Sequence, residues 1–441
     1  MVSRIVVAAP ASGSGKTTVA TGLMAALRAR GHDVAPFKVG PDYIDPGYHG
    51  LAAGRPGRNL DPVLCGDHLV APLLEHGARG ADVAVVEGVM GLFDGRLGTG
   101  GEGSTAHVAR LIDAPVVLVL DARHTSRSIG AVALGMARFD ERLRVAGAII
   151  NQVGSQRHAA EARAAVEEAG LPVLGVLPRN LDIEAPSRHL GLVPVAERDD
   201  AKIVVMGEAV AAHVDLDAVL EVARSAPQLG AEPWFPAPGG AVEATGPKVV
   251  AVAGGRAFTF RYPETDELLR AAGCDLVEFD PLTDPTLPPG TSGLWLGGGF
   301  PEVYAAELAT NAALLREIRE AVRDGVPTVA ECAGLLYLGR TLDGVPMSGA
   351  LDVDAAMAKR LTLGYRTATS AADTLLGRTG ETITGHEFHR THLLATPDGT
   401  PAWLLDGRPD GVGTETLHAS YLHTHWAGHP QLARRFAEAV R

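Results

Sequence analysis

Cysteine is scarce in this 441-residue chain: Cys65, Cys274 and Cys332 lie far apart and form no CxxC pair. They can build neither a disulfide framework nor a thiolate zinc site, and a reducing compartment fits. Long apolar runs are missing too. No window reaches about 18 uninterrupted apolar residues, and the start MVSRIVVAAPASGSGKTT lacks the basic region, apolar stretch and cleavage site of a secretory signal. Together these absences predict a cytoplasmic protein that does not span a membrane. Positive charge is in deficit, with 39 Lys+Arg against 52 Asp+Glu for a formal net charge of −13, which argues against a nucleic-acid partner held through its phosphates. Aromatics are few, at 5%, whereas 46% of residues are hydrophobic and the 53 glycines and 29 prolines show no period. Disorder, collagen and repeat arrays are thereby excluded, leaving packed globular domains.

The first half alternates short Val/Ile/Leu runs with Ala/Leu/Arg stretches: RIVVAAP, a helix-like TTVATGLMAALRARG, DVAPFKVG, ADVAVVEG, APVVLVLDA and VAGAIINQVG. Continuous apolar runs of this length are what parallel strands buried on both faces require, so the expected fold is a doubly wound parallel sheet with ligands beyond the strands' carboxyl ends. From about Ser225 the text turns to SAPQLGAEPWFPAPGGAVEATG, rich in Pro, Gly and Ala, which reads as a linker over 226–246. Strand signals resume with KVVAVAGG, CDLVEFD, GLWLGGG and PTVAECAG, interleaved with helical stretches such as ELATNAALLREIREAVRDG. Two α/β domains are expected, over 1–225 and 247–441.

Directly after the first apolar run comes Ser12-Gly13-Ser14-Gly15-Lys16-Thr17-Thr18, followed by the helical stretch. A glycine-rich turn entering a helix aims backbone N–H groups and the positive dipole end at phosphate oxygens. Lys16 would neutralise the β/γ-phosphates and Thr17 would ligate Mg²⁺, predicting ATP and Mg²⁺ as cofactors. Pro10 stands where the usual GxxxxGK[ST] pattern has its first glycine. Mg²⁺ also needs carboxylates near the strand ends. Glu87, closing ADVAVVEG, is the first candidate, and Asp42 and Asp45 in Lys38-Val39-Gly40-Pro41-Asp42-Tyr43-Ile44-Asp45-Pro46 serve either as ligands or as turn residues. Asn151, closing GAIIN, either reads the adenine edge or caps a helix.

In the second half, PTVA runs into Glu331-Cys332-Ala333-Gly334 and an apolar helix. A cysteine on a tight strand-to-helix turn is either a packing residue or an exposed nucleophile whose thiolate the helix N-terminus favours. Two companions favour the nucleophile. Gly297-Gly298-Gly299-Phe300-Pro301-Glu302 can point N–H groups at an oxyanion alongside that of Ala333, and His418-Ala419-Ser420-Tyr421-Leu422-His423-Thr424-His425 offers a general base. A metal held by His425 and His429 is the lesser reading, because Pro430 interrupts their helix and no acid cluster completes a coordination set.

The combination resembles the cobyrinate and hydrogenobyrinate a,c-diamide synthases of cobalamin biosynthesis, over nearly the whole chain. The matching segments are SGSGKTT, FKVGPDYIDPGYH, NLDPVL, VVEGVMGLFDG, LGGGFPE, ECAGLLYL, GHEFH and SYLHTHW. The resemblance implies an N-terminal synthetase domain akin to dethiobiotin synthetase and a C-terminal class I-type glutamine amidotransferase domain. It makes Cys332 the nucleophile, His423 its base, and Asp42, Asp45 and Glu87 the acids of the synthetase site; beside these, Gly298, Gly299 and Ala333 are the expected oxyanion donors and Lys38, Asp42 and Tyr43 the expected substrate-binding residues. Its implied partners are small molecules, namely a corrinoid polycarboxylate, glutamine and ATP; a homodimer is compatible with it. The chain departs from the class I pattern His-x-Glu, having His423-Thr424-His425, and Ala253–Phe258 lacks the charged Arg-Asp pair expected of relatives. Two rivals are cobyric acid synthase, which amidates four other carboxylates, and a partitioning or positioning ATPase. The latter usually carries a second lysine where this chain has Ala11 and lacks a thiol domain.

Overall fold

The computed structural model describes residues 2–179, 200–240 and 248–441. The chain forms two compact units, Met1–Phe235 and Pro236–Arg441. In the first, the strands β1 (Ser3–Ala8), β2 (Val34–Val39), β3 (Arg58–Leu60), β4 (Val83–Glu87), β5 (Val116–Asp121), β6 (Val145–Val153) and β7 (Val173–Pro178) pair in parallel in the order β3-β2-β4-β1-β5-β6-β7. Helices cover the sheet, among them α1 (Lys16–Ala29) and α2 (Asp45–Ala53). Val7, Val85, Val117 and Ile149 of the strands pack with Val19 and Leu23 of α1 in one core, so the strands read as unbroken apolar runs rather than alternating ones. The strands missed by the sequence reading are β3, only three residues long, and β7, whose VLGVLP carries a glycine and ends in proline.

The strand order matters for chemistry. β4 lies between β2 and β1, in a register that sets Glu87 beside both Lys38 and Val7. Residues at one level of a parallel sheet share a face, so Lys38 and Glu87 are delivered to the same spot at the strand ends, next to the turn that leaves β1.

The Pro/Gly-rich stretch read as a linker divides between the units. Its first ten residues belong to the first unit: Trp234 packs edge-on against His76 at 5.0 Å and its N–H donates to Pro72 O at 2.9 Å. Residues 241–247 lie outside the described residues.

The second unit holds β8 (Lys248–Ala253), β9 (Cys274–Phe279), β10 (Thr291–Leu296), β11 (Thr328–Glu331), β12 (Thr341–Leu342), β13 (Val345–Pro346), β14 (Asp354–Thr369), β15 (Thr382–Leu393), β16 (Trp403–Leu405), β17 (Arg408–Asp410), β18 (Val412–Gly413) and β19 (Leu417–Ser420). One sheet runs β18-β19-β11-β10-β8-β9, parallel except where β18 meets β19; the other runs β13-β12-β14-β16-β17, with β15 antiparallel on β14. The expected strands β8 to β11 form the first sheet. The long β14–β15 pair, absent from the sequence reading, mixes polar with half-buried residues and offers no apolar run to find.

Candidate active sites

In the first unit the SGSGKTT turn leaves β1 and enters α1 at Lys16. Gly13 and Gly15 sit at φ +77° and +88°, and a Cβ on Gly15 would fall 2.3 Å from Asn151 Nδ2, so the turn needs glycine there for both conformation and space. Asn151 Nδ2 donates to Ser14 O at 3.1 Å; this side chain ties β6 to the turn. Ser14 Oγ donates to Ala11 O, and Lys16 Nζ to Ala11 O at 3.2 Å and Met90 O at 2.6 Å. Burial, then Lys38, lowers Lys16 to about 8. Ser12 is exposed and Thr18 half-buried.

Beside the turn lies a buried charge cluster. Lys38 Nζ reaches Asp45 Oδ2 at 2.5 Å and Glu87 Oε1 at 2.9 Å, and His49 Nε2 reaches Glu87 Oε2 at 2.6 Å. Thr17 Oγ1 donates to Glu87 Oε1 at 2.7 Å and to Asp45 Oδ2 at 3.4 Å. Burial opposes charge on Lys38, but Asp45 and Glu87 outweigh it and hold the ammonium firmly protonated. Burial likewise opposes the Glu87 carboxylate, while Lys38 and His49 prevail and keep it well below the usual carboxylate range. Asp45 is pushed upward by burial, Asp42 and Glu87. Asp42 Oδ1 accepts from the N–H groups of Ile44 and Asp45 at 2.8 and 3.0 Å, starting α2, and half-buried Tyr43 follows it. The six expected groups Thr17, Lys38, Asp42, Tyr43, Asp45 and Glu87 therefore gather at one end of the sheet. His49 was missed, although its i,i+4 spacing from Asp45 on α2 already placed both on one helix face. Arg123 was missed as well; it donates to Gly13 O at 3.1 Å and pairs with Asp121 at the end of β5.

In the second unit Cys332 follows β11 with φ +49° and ψ −94°, a strained corner for a non-glycine residue, of order 1–3 kcal/mol. Its N–H donates to Ser420 O at 2.8 Å, and a Cβ on Gly334 would fall 2.2 Å from Leu296 O, so the turn closes only over glycine. The thiol is 3% exposed and lies 3.9 Å from Phe388 O on β15. Burial, then Glu302 and Glu331, push it far above the ordinary thiol range. The expected thiolate-favouring influence of the turn is thus overridden, and the resting group is a neutral thiol.

His423 follows β19 and is held to β15 by paired backbone bonds with His386 at 2.8 and 2.9 Å. Its ring abuts Gly298: a Cβ there would fall 2.4 Å from His423 Cε1. The GGG turn and the SYLH segment are therefore neighbours. Gly298 was expected as an N–H donor to an oxyanion, yet its N–H donates to Phe260 O at 3.3 Å; what it supplies here is room for the imidazole. Burial, then His386 and His389, lower His423 to about 3, leaving a neutral base. Glu331 was named only as the neighbour of Cys332. Its Oε2 lies 3.9 Å from His423 Nδ1, and the register pairing Glu331 with Ser420 was the missing signal. His425 packs on Tyr262 at 4.2 Å and lies 3.7 Å from Glu264, whereas His429 accepts from Thr384 N–H. Both precede the final helix, which begins at Gln431, so they share no helix face.

Residues 5–193 match the CobQ/CobB/MinD/ParA nucleotide binding domain, and residues 249–431 match the CobB/CobQ-like glutamine amidotransferase domain. The chain is 60% identical to hydrogenobyrinate a,c-diamide synthase of Thermobifida fusca (strain YX), covering 100% of this chain and 97% of that one. It is 53% identical to the protein of that name from Streptomyces coelicolor (strain ATCC BAA-471 / A3(2) / M145), with 100% and 98% covered. Against cobyrinate a,c-diamide synthase of Synechococcus sp. (strain ATCC 27144 / PCC 6301 / SAUG 1402/1) the identity is 43%, over 99% and 98%. With a nucleotide-binding unit ahead of a glutamine amidotransferase unit and this likeness over its whole length, the chain belongs to the hydrogenobyrinate and cobyrinate a,c-diamide synthase family.

Proposed function

We propose that the protein amidates the a and c acetate carboxylates of hydrogenobyrinate or cobyrinate, using ATP to activate each acid and glutamine as the nitrogen source. The observation carrying this reading is that one chain holds both a phosphate turn flanked by buried carboxylates and a strained cysteine corner whose glycine turn abuts a neutral histidine. Neither a partitioning ATPase nor a free-standing glutaminase needs both.

A carboxylate is a poor electrophile, and phosphoryl transfer from ATP gives it a good leaving group; ammonia then displaces phosphate to leave the amide. The SGSGKTT backbone and Lys16 hold the triphosphate, and Asn151, bonded to Ser14 O, fixes the turn's shape. Thr17, Asp45 and Glu87 bring hard oxygen donors together, and the buried Asp45 Oδ1 has no hydrogen-bond partner, a donor set that suits Mg²⁺. Among the described residues no three His, Cys, Asp or Glu side chains converge as a metal cage, so these groups would hold the ion together with nucleotide and water oxygens. When bound, Mg²⁺ supplies charge neutralisation at the phosphates. Lys38, fully buried against both acids, keeps Glu87 ionised and holds Asp45 beside it, while Asp42 starts α2 so that Asp45 faces them; half-buried Tyr43 next to Asp42 would contact substrate.

In the second unit Cys332 attacks the glutamine amide carbon while His423 takes its proton. The oxyanion falls to Gly299 and Ala333 N–H, Gly298 N–H being engaged with Phe260. Collapse of the intermediate releases ammonia, which takes the proton from His423, and water hydrolyses the thioester to glutamate. The three cysteines are free thiols and no described helix is long and apolar enough to cross a membrane. Both fit an enzyme working in the cytoplasm, where ATP and glutamine are at hand.

Incubation with ATP, Mg²⁺, glutamine and each acid in turn, followed by mass spectrometry, is expected to show two amides gained on one of them. No amide on either overturns the reading, and four amides assign it to the cobyric acid synthase reaction. Gly298→Ala is expected to lower glutamine-dependent turnover about 100-fold, because the new methyl displaces the His423 ring, which misplaces a general base by an ångström or so. Ammonium-fed turnover should stay within about twofold of wild type, read by phosphate release with the two nitrogen sources.

A further inference from the structure

We infer that Glu331 is the positioning residue of His423, taking the place of the acid that the sequence lacks two residues beyond the histidine. The inference rests on the reading of Cys332 and His423 given above and extends it. Position 425 cannot supply the acid. It is a histidine turned to Tyr262 and Glu264, away from the place where an orienting carboxylate works. The carboxylate comes instead from the strand that carries the nucleophile. β11 and β19 run in parallel with Glu331 opposite Ser420, and the chain beyond Ser420 returns His423 to Glu331, whose Oε2 lies 3.9 Å from Nδ1. The other oxygen is fixed: Thr424 Oγ1 donates to Oε1 at 2.8 Å, and Trp426 Nε1 donates to Thr424 Oγ1 at 2.9 Å. Glu331, Thr424, His423 and Trp426 are all buried, so water does not compete for these bonds.

Nδ1 is the ring nitrogen that faces Glu331, which assigns the role of base to Nε2. In the acylation step the Cys332 S–H proton passes to Nε2 as sulfur bonds the amide carbon. The C–N bond then breaks and Nε2 returns the proton to the departing ammonia. Between these events the imidazole is a cation in a dry site. Of its other neighbours, His386 and His389 on β15 oppose that charge, Glu387 favours it but is itself paired with Arg366, and Phe260 adds a tilted ring at 6.2 Å. Glu331 is the acid that faces its Nδ1 side. Burial raises Glu331 to about 8, against the pull of Thr424. The resting carboxyl is thus largely neutral at pH 7 and gains charge as pH rises through that value, strengthening the support for the imidazolium. Glu302, Glu331 and Asp410 all oppose charge on the Cys332 sulfur, so ionised Glu331 favours transfer of the proton to the imidazole over a free thiolate; Glu302 is raised to about 7 by burial and titrates in the same range.

The test is the pH profile of glutamine hydrolysis by the full-length chain, taken from pH 6 to 9.5 for wild type, Glu331→Gln, Thr424→Val and Glu302→Gln, with Cys332→Ala alongside. Wild type is expected to gain rate through about pH 8. Glu331→Gln should lose about 100-fold in kcat with little change in KM, and should lose the rise. Thr424→Val, which removes the bond favouring ionised Glu331, should keep the rise and move it to higher pH. Ammonium-fed amide synthesis and thermal melts report that each variant is folded. A Glu331→Gln enzyme that keeps the rise, or a rise that vanishes in Glu302→Gln instead, overturns the assignment. Glutamine hydrolysis surviving in Cys332→Ala overturns the underlying reading instead, and the two failures are told apart by which variant shows them.

Discussion

Replacing Cys332 with alanine is expected to abolish glutamine-dependent amidation, by roughly 10⁴-fold or more, while leaving amidation from free ammonium within about twofold of wild type. The size follows from what is removed. Without sulfur no thioester forms, and water must attack an unactivated amide with only the N–H donors of Gly299 and Ala333 to help. The selectivity follows from the fold. Cys332 sits in a unit with its own sheet and core, and the phosphate turn and its acids belong to the other. Alanine keeps the backbone bond to Ser420 O and fits the space of a buried thiol, so stability should change by no more than about 1 kcal/mol. The readout is phosphate release and product mass with each nitrogen source. Equal loss with both sources, in a variant that melts like wild type, overturns the division of labour.

Much of the site was legible in the sequence, because short apolar strands announce themselves and catalytic groups cluster where they end. Lys38 and Glu87 each closed a recognisable run, Lys38 expected beside the substrate and Glu87 among the acids of the phosphate site; their contact depends on β4 inserting between β2 and β1, which no local pattern records. His49 was readable in principle from its spacing to Asp45. Glu331 was not: its partner is 92 residues away, and only the parallel pairing of β11 with β19 brings it to His423. The pair β14–β15 escaped for a different reason. Its strands carry GHEFH past the thiol with one face polar, so hydrophobic periodicity had little to report although His386 and Phe388 both border the site. The state of the thiol also eluded sequence reasoning. A strand-to-helix turn suggests a thiolate, but the helix is six residues long and burial dominates.

Glu87→Gln is expected to lower amide synthesis by about 10³-fold with glutamine and ammonium alike, and to leave glutamine hydrolysis intact. Glu87 is 1% exposed and serves three groups at once: Oε1 accepts from Thr17 and faces Lys38, and Oε2 faces His49. An amide in its place must turn its NH₂ toward the Lys38 ammonium or toward His49, and it carries no charge to balance either. Lys38 keeps Asp45, whose own carboxyl is pushed upward by burial and its acidic neighbours, so that pair alone is a poorer clamp. Breaking a buried ion network in this way costs about 3 kcal/mol, so the variant should unfold earlier in denaturant. The sign with pH distinguishes this cause from a packing defect. Glu87 is held below its unfolded value near pH 4.3, so its contribution is present above that value and fades as pH falls toward the folded one. The stability gap between wild type and Glu87→Gln should therefore be full at pH 7 and shrink below about pH 4. A gap that stays constant with pH would show that the glutamine merely packs badly, and normal ammonium-fed synthesis in this variant would remove Glu87 from the chemistry of the phosphate site.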